Sequence, residues 1–322
     1  MSLRSKITAK NKLLDEIIQD LETLKSKGTF ENVYAIDENI KFFKSMYSLL
    51  RYVHWLKNEK PKIDGSRLLE LSDFYLSSGR WESILQKELL EIEQWKFPDN
   101  LMQFRKTILT RIDALSQKNP SRPLILISLG SGPMEIERQL IGALRKNGSK
   151  QKLIMFGIDS AEASLNAAKE NHQKSNMPII ETDNLNDNFL DKIKEEHKNE
   201  QFILILLKAN VMLLKNYFKE GSVDLVYHSK FKHHLIGEQK LKLDEICKYL
   251  SKVVIETDLL NNMFMMIVPV VARTRWLHPI LLNGGIFSAL RSPLKQEVLS
   301  EVKNGWQVKI FPDGYIKTYY AD

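Results

Sequence analysis

The sequence predicts an α/β fold, in which a mostly parallel sheet with helices on both faces follows an all-helical N-terminal domain. Three observations carry this prediction. Helical periodicity runs through residues 1–120, where Gly is scarce. An apolar run at 124–129 stops at a Gly-x-Gly turn, and a second apolar run, 152–158, ends in Asp159. Apolar runs of this length are typical of strands that are buried on both faces of a parallel sheet.

The N-terminal helices are predicted from apolar residues that recur at helical spacing, for example Leu13, Ile17, Leu21 and Leu24. Further helical stretches cover about 67–78, 81–95 and 101–115, and a Pro-containing segment at 119–123 separates them from the first strand. We therefore expect two domains, a helical cap or lid over residues 1–120 and an α/β domain over residues 121–322.

The glycine turn after the first strand is the main candidate for a binding site. Gly130 and Gly132 let the backbone turn tightly and approach a ligand, and a helix begins just after Pro133. A strand, a glycine turn and a helix place backbone N–H groups beside a nucleotide-sized crevice. At the tip of the second strand, Asp159 can accept both hydroxyls of a ribose; alternatively, Asp159 or Ser160 only caps the following helix.

The glycine turn narrows the choice of nucleotide. A dinucleotide fingerprint has a third glycine three positions after the second, and here that position holds Glu135. NAD and FAD are therefore disfavoured, and no P-loop Lys-Ser/Thr follows the turn.

At this point the sequence resembles the class I (Rossmann-like) S-adenosylmethionine-dependent methyltransferases. The resemblance implies a seven-stranded sheet, a glycine turn that holds the methionine end of the cofactor, and Asp159 on its ribose. It covers about residues 120–322 and consists of several motifs that follow one another in the order found in this family. Segment 201–211 is similar to the third strand and adenine turn, 222–235 to the fourth strand with its His-His-Leu ending, 252–258 to the fifth strand, and 306–311 with 315–320 to the closing antiparallel pair.

The chain also departs from this family. Ser128 stands where an acid usually accepts the cofactor's amino group, so that contact is weaker or moves to Glu135, and Met134 replaces the third glycine. At the adenine we prefer Asn210, which makes residues 171–200 an insertion; an alternative register places Asp183 there. The resemblance thus implies these cofactor-binding residues: Ser128, Gly130, Ser131, Gly132, Glu135, Asp159, Ser160, Asn210, Val211 and His228.

Catalysis of methyl transfer needs placement of the acceptor, plus a base if the acceptor carries a proton. His228 and His233 follow the fourth strand and are the catalytic candidates, because imidazole takes a proton near neutrality. Packing or pocket lining is the alternative role for both, and it is the preferred one for His234.

Composition bounds the remaining classes. The single Cys247 fits a reducing compartment, and the polar, basic start lacks the apolar core of a signal peptide. The most lipid-like run, 263–272, is too short to span a membrane. We therefore expect a soluble, cytoplasmic protein, and no metal site is predicted. The net charge of +7 is spread along the chain, so nucleic acid is a less favoured partner, though not an excluded one. The apolar segment 261–293 favours a small or amphipathic acceptor, and the helical domain is the candidate surface for a homodimer.

The sequence therefore predicts a methyltransferase that modifies an O or N atom of a small or amphipathic molecule, with S-adenosylhomocysteine as product. Two alternatives stay open: a degenerate cofactor-binding or interaction protein of the same fold, and a methyltransferase that acts on RNA or protein.

Overall fold

A computed structural model describes residues 3–28, 32–69, 99–185, 188–261, 279–312 and 314–321. The helix expected over 81–95, the part of the expected helix 67–78 beyond residue 69, and residues 262–278 of the apolar segment 261–293 lie outside these ranges. The chain divides into two compact units, one of Met1–Leu76 with Asn261–Ser292 and one of Ser77–Leu260 with Pro293–Asp322. This division differs from the predicted boundary at residue 120.

The described helices and strands follow one another in this order: α1 (Leu3–Lys27), α2 (Val33–Ser45), α3 (Leu49–His54), α4 (Asp99–Lys118), β1 (Leu124–Leu129), α5 (Glu135–Lys146), β2 (Leu153–Asp159), α6 (Glu162–His172), β3 (Ile179–Thr182), α7 (Phe189–Glu196), β4 (Phe202–Lys208), β5 (Leu225–Ser229), α8 (Gln239–Leu250), β6 (Val253–Leu259), α9 (Pro279–Arg291), α10 (Lys295–Ser300), β7 (Trp306–Phe311) and β8 (Gly314–Tyr320). Short 3-10 turns at Val211–Asn216 and Lys232–His234 follow β4 and β5.

The first unit is helical in its described residues. Helix α9 belongs to it although α9 follows the sheet strands in sequence, because α9 packs on α2. The rings of Phe42 and Phe287 meet edge to face with centroids 5.4 Å apart. Beside them, the buried amide of Asn283 donates to Asn39 Oδ1 over 2.8 Å. The residues around 279–292 thus fold with the N-terminal helices.

The second unit contains one eight-stranded sheet in the order β3-β4-β2-β1-β5-β6-β8-β7. All pairs from β3 to β6 are parallel, and β8 runs antiparallel to both β6 and β7. The predicted Rossmann-like fold class is confirmed, with eight strands instead of seven. The additional strand is β3, a short edge strand within the segment 171–200 that we expected to be an insertion.

Helix α4, which precedes residue 120, packs on this sheet. Its apolar stripe of Phe104, Ile108 and Ile112 is fully buried and belongs to the same core cluster as the inward residues of β1, β2 and β4. A stripe at i, i+4 and i+8 marks one helix face but does not say what covers it. The opposite sheet face packs on α8, where Cys247 is buried as a small apolar residue.

The strand order places the candidate site. From β1 the chain first moves outward to β2 on one side and later returns to β5 on the other. In open α/β sheets, ligands bind at the carboxyl ends of the strands where the order reverses in this way. The glycine turn after β1, Asp159 at the end of β2, and the residues after β5 and β6 all lie at this edge. None of the described helices is long and apolar enough to cross a membrane.

Candidate functional site

The glycine turn has a conformation and surroundings that require glycine. Gly130 and Gly132 have φ angles of 56° and 51°, in the left-handed region that side chains rarely adopt. A Cβ on Gly130 would lie 2.1 Å from the ring of Phe231, whereas a Cβ on Gly132 would meet nothing within 4 Å. The backbone therefore packs tightly against Phe231 at Gly130 and borders open space at Gly132, where a ligand can approach.

Asp159 ties the end of β2 to this turn. Its Oδ2 accepts from Gly132 N over 3.1 Å, and its Oδ1 accepts from Ala161 N over 3.0 Å. Burial raises the pKa of Asp159 above its usual value, although the N–H groups of Ala161 and Gly132 favour the charged form. Each carboxylate oxygen retains a second lone pair, so Asp159 can hold the turn and accept from a ligand hydroxyl at once.

Ser131 provides a test of whether the turn is shaped for a ligand. Its backbone N–H donates to Ile158 O over 3.1 Å. Its side-chain Oγ is buried and has no hydrogen-bond partner among the described residues. A buried hydroxyl without a partner is costly unless another group satisfies it. A polar ligand group on the glycine turn would supply that partner.

Glu135 is not available to a cofactor in the way we expected. This carboxylate is 2% exposed. It accepts from the guanidinium of Arg138 at 2.7 and 2.5 Å, from Gln139 at 2.7 Å and from Asn171 at 3.2 Å. Burial alone would raise the pKa of Glu135, but these donors outweigh it and lower the pKa. Glu135 therefore braces the start of α5, and its prediction as a cofactor-binding residue is not supported by this geometry.

Helix α6 holds the same turn from its other end. Asn171 Nδ2 donates to Pro133 O over 2.9 Å, and His172 Nε2 lies 3.0 Å from Met134 O. Met134 has a φ of 55°, so it adopts the left-handed conformation that a third glycine would accept without strain. These contacts stabilise a conformation that the methionine itself disfavours.

A second buried acid, which we did not single out from the sequence, lies beside Ser128. Ser128 is buried on β1, and its neighbours in register are Gly157 and Tyr227. Glu137 is 2% exposed, and burial raises its pKa, against the hydroxyl of Ser128, which favours the charged form. The structure thus places a carboxyl group next to Ser128 from α5, where the strand end itself has none.

The order of strands in the sheet separates the two candidates for the adenine edge, Asn210 and Asp183. Asn210 follows β4, the neighbour of β2, and its Oδ1 accepts from Met212 N over 2.9 Å. Val211 is buried in the core, and Ser160 is exposed next to Asp159. Asp183 is exposed after β3, one strand further from β2. This order supports Asn210 over Asp183 as the residue beside the Asp159 site.

His228 is enclosed in the protein. The side chain is 1% exposed, and neither ring nitrogen has a hydrogen-bond partner among the described residues. Its Nε2 lies 3.6 Å from Glu256 Oε2. Burial lowers the pKa of His228 to about 4, despite the nearby Glu256 carboxylate. An imidazole with this pKa is neutral and weakly basic near pH 7, so His228 is the weaker of the two catalytic candidates.

His233 forms a buried pair with Asp258. The distance between His233 Nδ1 and Asp258 Oδ1 is 2.5 Å, and the backbone N of His233 donates to Asp258 Oδ2 over 3.0 Å. Burial raises the pKa of Asp258, but His233 outweighs it and the net pKa is lowered. Asp258 therefore stays charged and fixes the imidazole. The His234 ring lies beside that of His233, with centroids 4.2 Å apart and the ring planes tilted by 39°, and it favours the charged form of Asp159.

The role of Asp258 was missed because the pairing joins residues 25 positions apart. The one signal in the sequence was its place at the carboxyl end of the predicted fifth strand, where functional residues of parallel sheets collect. Across the described parts of the chain, no group of three His, Cys, Asp or Glu side chains is arranged to hold a metal ion.

Fold and site together define the class: a Rossmann-like domain with a glycine turn, a strand-end carboxylate and a His–Asp pair at one edge of the sheet. A scan against protein-family models finds no matching family. A search of curated proteins finds no match either.

Solved structures do show likeness to this chain. It is similar to the plantazolicin methyltransferase BamL, at 13% identity over 73% of each chain and a TM-score of 0.45. It is also similar to magnesium protoporphyrin IX methyltransferase (ChlM) from Synechocystis PCC 6803, at 12% identity over 78% of this chain and 98% of that one, with a TM-score of 0.42. A third likeness is to the DszA carbon methyltransferase, at 10% identity over 94% and 69% of the two chains and a TM-score of 0.46. Because identities and TM-scores are this low, the function proposed below rests on the chain's own residues.

Proposed function

We propose that this protein is an S-adenosylmethionine-dependent methyltransferase that modifies a proton-bearing O or N atom of a small or amphipathic acceptor. The observation that carries the proposal is the junction of Gly132 and Asp159, which joins an open glycine turn to a carboxylate at the end of the neighbouring strand. Asp159 would hold the ribose hydroxyls, and Asn210 would lie at the adenine edge.

The methionine end of the cofactor would lie along the turn. The buried Oγ of Ser131 lacks a partner there, and it is a suitable donor to the methionine carboxylate. Glu137 supplies a buried acid beside Ser128. When bound, S-adenosylmethionine supplies a methyl group on a positively charged sulfur, so the protein has to place the acceptor and remove its proton.

His233 is the proposed base. Its Nδ1 is held by Asp258, so the imidazole accepts the acceptor's proton at Nε2, the other ring nitrogen. The charged Asp258 then stabilises the imidazolium that forms. A fixed orientation and a countercharge are what a general base needs to act on an O–H or N–H group. His233 is therefore the proposed catalytic residue, and Asp258 is a positioning residue.

The test is transfer of labelled methyl from S-adenosylmethionine into fractions of a cell extract that contain small molecules, RNA or protein. We expect label in the small-molecule fraction with the wild type and about 10²–10⁴-fold slower transfer with His233→Asn, since a general base contributes this much. His197→Asn, which changes a histidine in the connection that leads to the amino end of β4, is the matched control and should transfer normally.

Two outcomes would overturn parts of this proposal. Label in RNA or protein would change the acceptor class. Binding of S-adenosylmethionine without transfer to any fraction would favour the degenerate cofactor-binding protein.

A further inference from the structure

Strand β6 presents two carboxylates on one face, and they hold consecutive residues of the turn that carries the proposed base. Glu256 and Asp258 are two residues apart, so their side chains point to the same side of the sheet. Asp258 binds His233, as described above. Glu256 Oε2 lies 3.5 Å from Nζ of Lys232, the residue before His233.

Lys232 is held more closely by a second element. Its Nζ is 2.6 Å from Asp244 Oδ1 on α8. Glu256 in turn lies 3.3 Å from Lys317 Nζ and accepts from the Tyr315 hydroxyl over 2.6 Å. Lys232 is 9% exposed, Lys317 2% and Glu256 not at all. We call Lys232, Asp244, Glu256 and Lys317 the ion cluster; it contains two cations and two anions in a buried space.

The ion pairs favour the charged forms of Lys232 and Glu256, whereas burial and the Glu256 carboxylate raise the pKa of Asp244. Burial lowers the pKa of Lys232, but Glu256 and Asp244 outweigh it, so the net pKa is raised. Burial likewise raises the pKa of Glu256, and Lys232 and Lys317 reverse this effect. Because a buried charge without its partner is costly, the cluster resists any movement that separates Lys232 from its two carboxylates.

The backbone around Lys232 leaves the turn little freedom of its own. Lys230 enters the turn with a φ of 51°, and its N–H donates to Thr257 O on β6 over 2.9 Å. The 3-10 turn is closed by His234 N to Phe231 O at 3.0 Å and Leu235 N to Lys232 O at 3.1 Å. A turn of fixed shape that is held at two adjacent side chains has a fixed orientation on the strand.

We propose that Lys232 is a positioning residue: by joining the turn to Asp244 and Glu256, it holds the His233 imidazole in register with Asp258. Without this anchor the turn can pivot about the Asp258 contact, and the imidazole spends part of its time away from its carboxylate. The relevance to catalysis rests on the proposed function, whereas the placement of His233 can be tested without it.

The test uses the imidazole N–H resonance of the His233–Asp258 pair, which is assigned by its loss in His233→Asn. Lys232→Met combined with Asp244→Asn removes one charge of each sign, so the remaining pair of Glu256 and Lys317 is still balanced. In this double variant we expect the N–H to exchange with water about tenfold faster, the change that a loss of about 1.4 kcal/mol in opening free energy produces.

Two further variants separate anchoring from general stability. Lys232→Arg keeps a cation at this position, so its exchange rate should stay close to that of the wild type. Tyr315→Phe removes a hydrogen bond from Glu256 but leaves Lys232 in place, so it should leave the His233 resonance unchanged even if it lowers the melting temperature.

S-adenosylhomocysteine affinity of the wild type is measured alongside, because it tests the proposed cofactor and not the role of Lys232. An unchanged exchange rate in the double variant would overturn the proposal, as would an equal acceleration in Tyr315→Phe. If the double variant fails to fold, Asp244→Asn alone decides, because it removes the carboxylate nearer to Lys232; an unchanged exchange rate there would overturn the proposal. A wild type that does not bind S-adenosylhomocysteine would refute the proposed cofactor and leave the exchange data to decide the role of Lys232.

Discussion

The tight contact between Gly130 and Phe231 leads to a prediction that can be worked out from the structure. In Gly130→Ala the new Cβ would lie 2.1, 2.6 and 2.7 Å from three ring atoms of Phe231, against 3.4 Å or more for ordinary contacts. The overlap should cost about 1–3 kcal/mol as overpacking. The left-handed φ adds about 1–2 kcal/mol for any L side chain. We therefore expect a loss of about 2–5 kcal/mol in the free energy of unfolding.

Gly132→Ala is the matched control. Gly132 has nearly the same φ but nothing within 4 Å of the added carbon, so only the conformational cost of about 1–2 kcal/mol applies. The assay is urea denaturation followed by circular dichroism. The double variant Gly130→Ala/Phe231→Ala should lose about 1–3 kcal/mol less free energy of unfolding than the sum of the losses in the two single variants. This is the coupling expected of residues in contact. Equal destabilisation by both glycine changes, or no coupling with Phe231, would refute the reasoning.

Three other predictions concern single site residues. The unfolded chain binds a proton on His228 near pH 6.5, whereas the native protein binds it only near pH 4. Between these values the unfolded state holds more protons, so the free energy of unfolding rises with pH. Urea denaturation should show a rise of about 3 kcal/mol across this window, and His228→Gln should abolish the rise. Ser131→Ala should weaken S-adenosylhomocysteine binding by about 1 kcal/mol in calorimetry while leaving the free protein as stable or slightly more stable, because the buried hydroxyl has no partner to lose; a stability loss without a binding loss would contradict this. Glu135→Gln should lower the free energy of unfolding by about 1–2 kcal/mol, because the ion pair with Arg138 is lost, and should leave S-adenosylhomocysteine affinity within about threefold. The control is Glu181→Gln, which removes an exposed ion pair and should change the free energy of unfolding by less than about 0.5 kcal/mol.

The strands of the sheet were predictable because burial on both faces demands continuous apolar runs. The runs at β1, β2 and β4 are buried almost throughout, and β2 ends at Asp159. Since parallel strands share their carboxyl edge, Asp159 and the glycine turn could be expected to meet. The edge strand β3 has no such signal, because it is four residues long and no residue in it is fully buried.

Contacts between segments far apart in the chain could not be predicted from the sequence. The apolar stripe of α4 would look the same on either unit, and only the packed core shows that it covers the sheet. The pairing of His233 with Asp258 and the ion cluster depend on which side chains of β6 meet the turn after β5. Glu135 is a different case, because its ion pair with Arg138 lies within one helical turn and its spacing is visible in the sequence.

Calorimetric titration of S-adenosylmethionine, S-adenosylhomocysteine and NAD tests the central claim most directly. We predict that both S-adenosyl compounds bind the wild type, that NAD does not, and that Asp159→Ala weakens binding about 10–100-fold, as expected for lost hydrogen bonds to a charged group. Asp183→Asn should bind as the wild type does. Absence of binding by both S-adenosyl compounds, or full affinity in Asp159→Ala, would contradict the account.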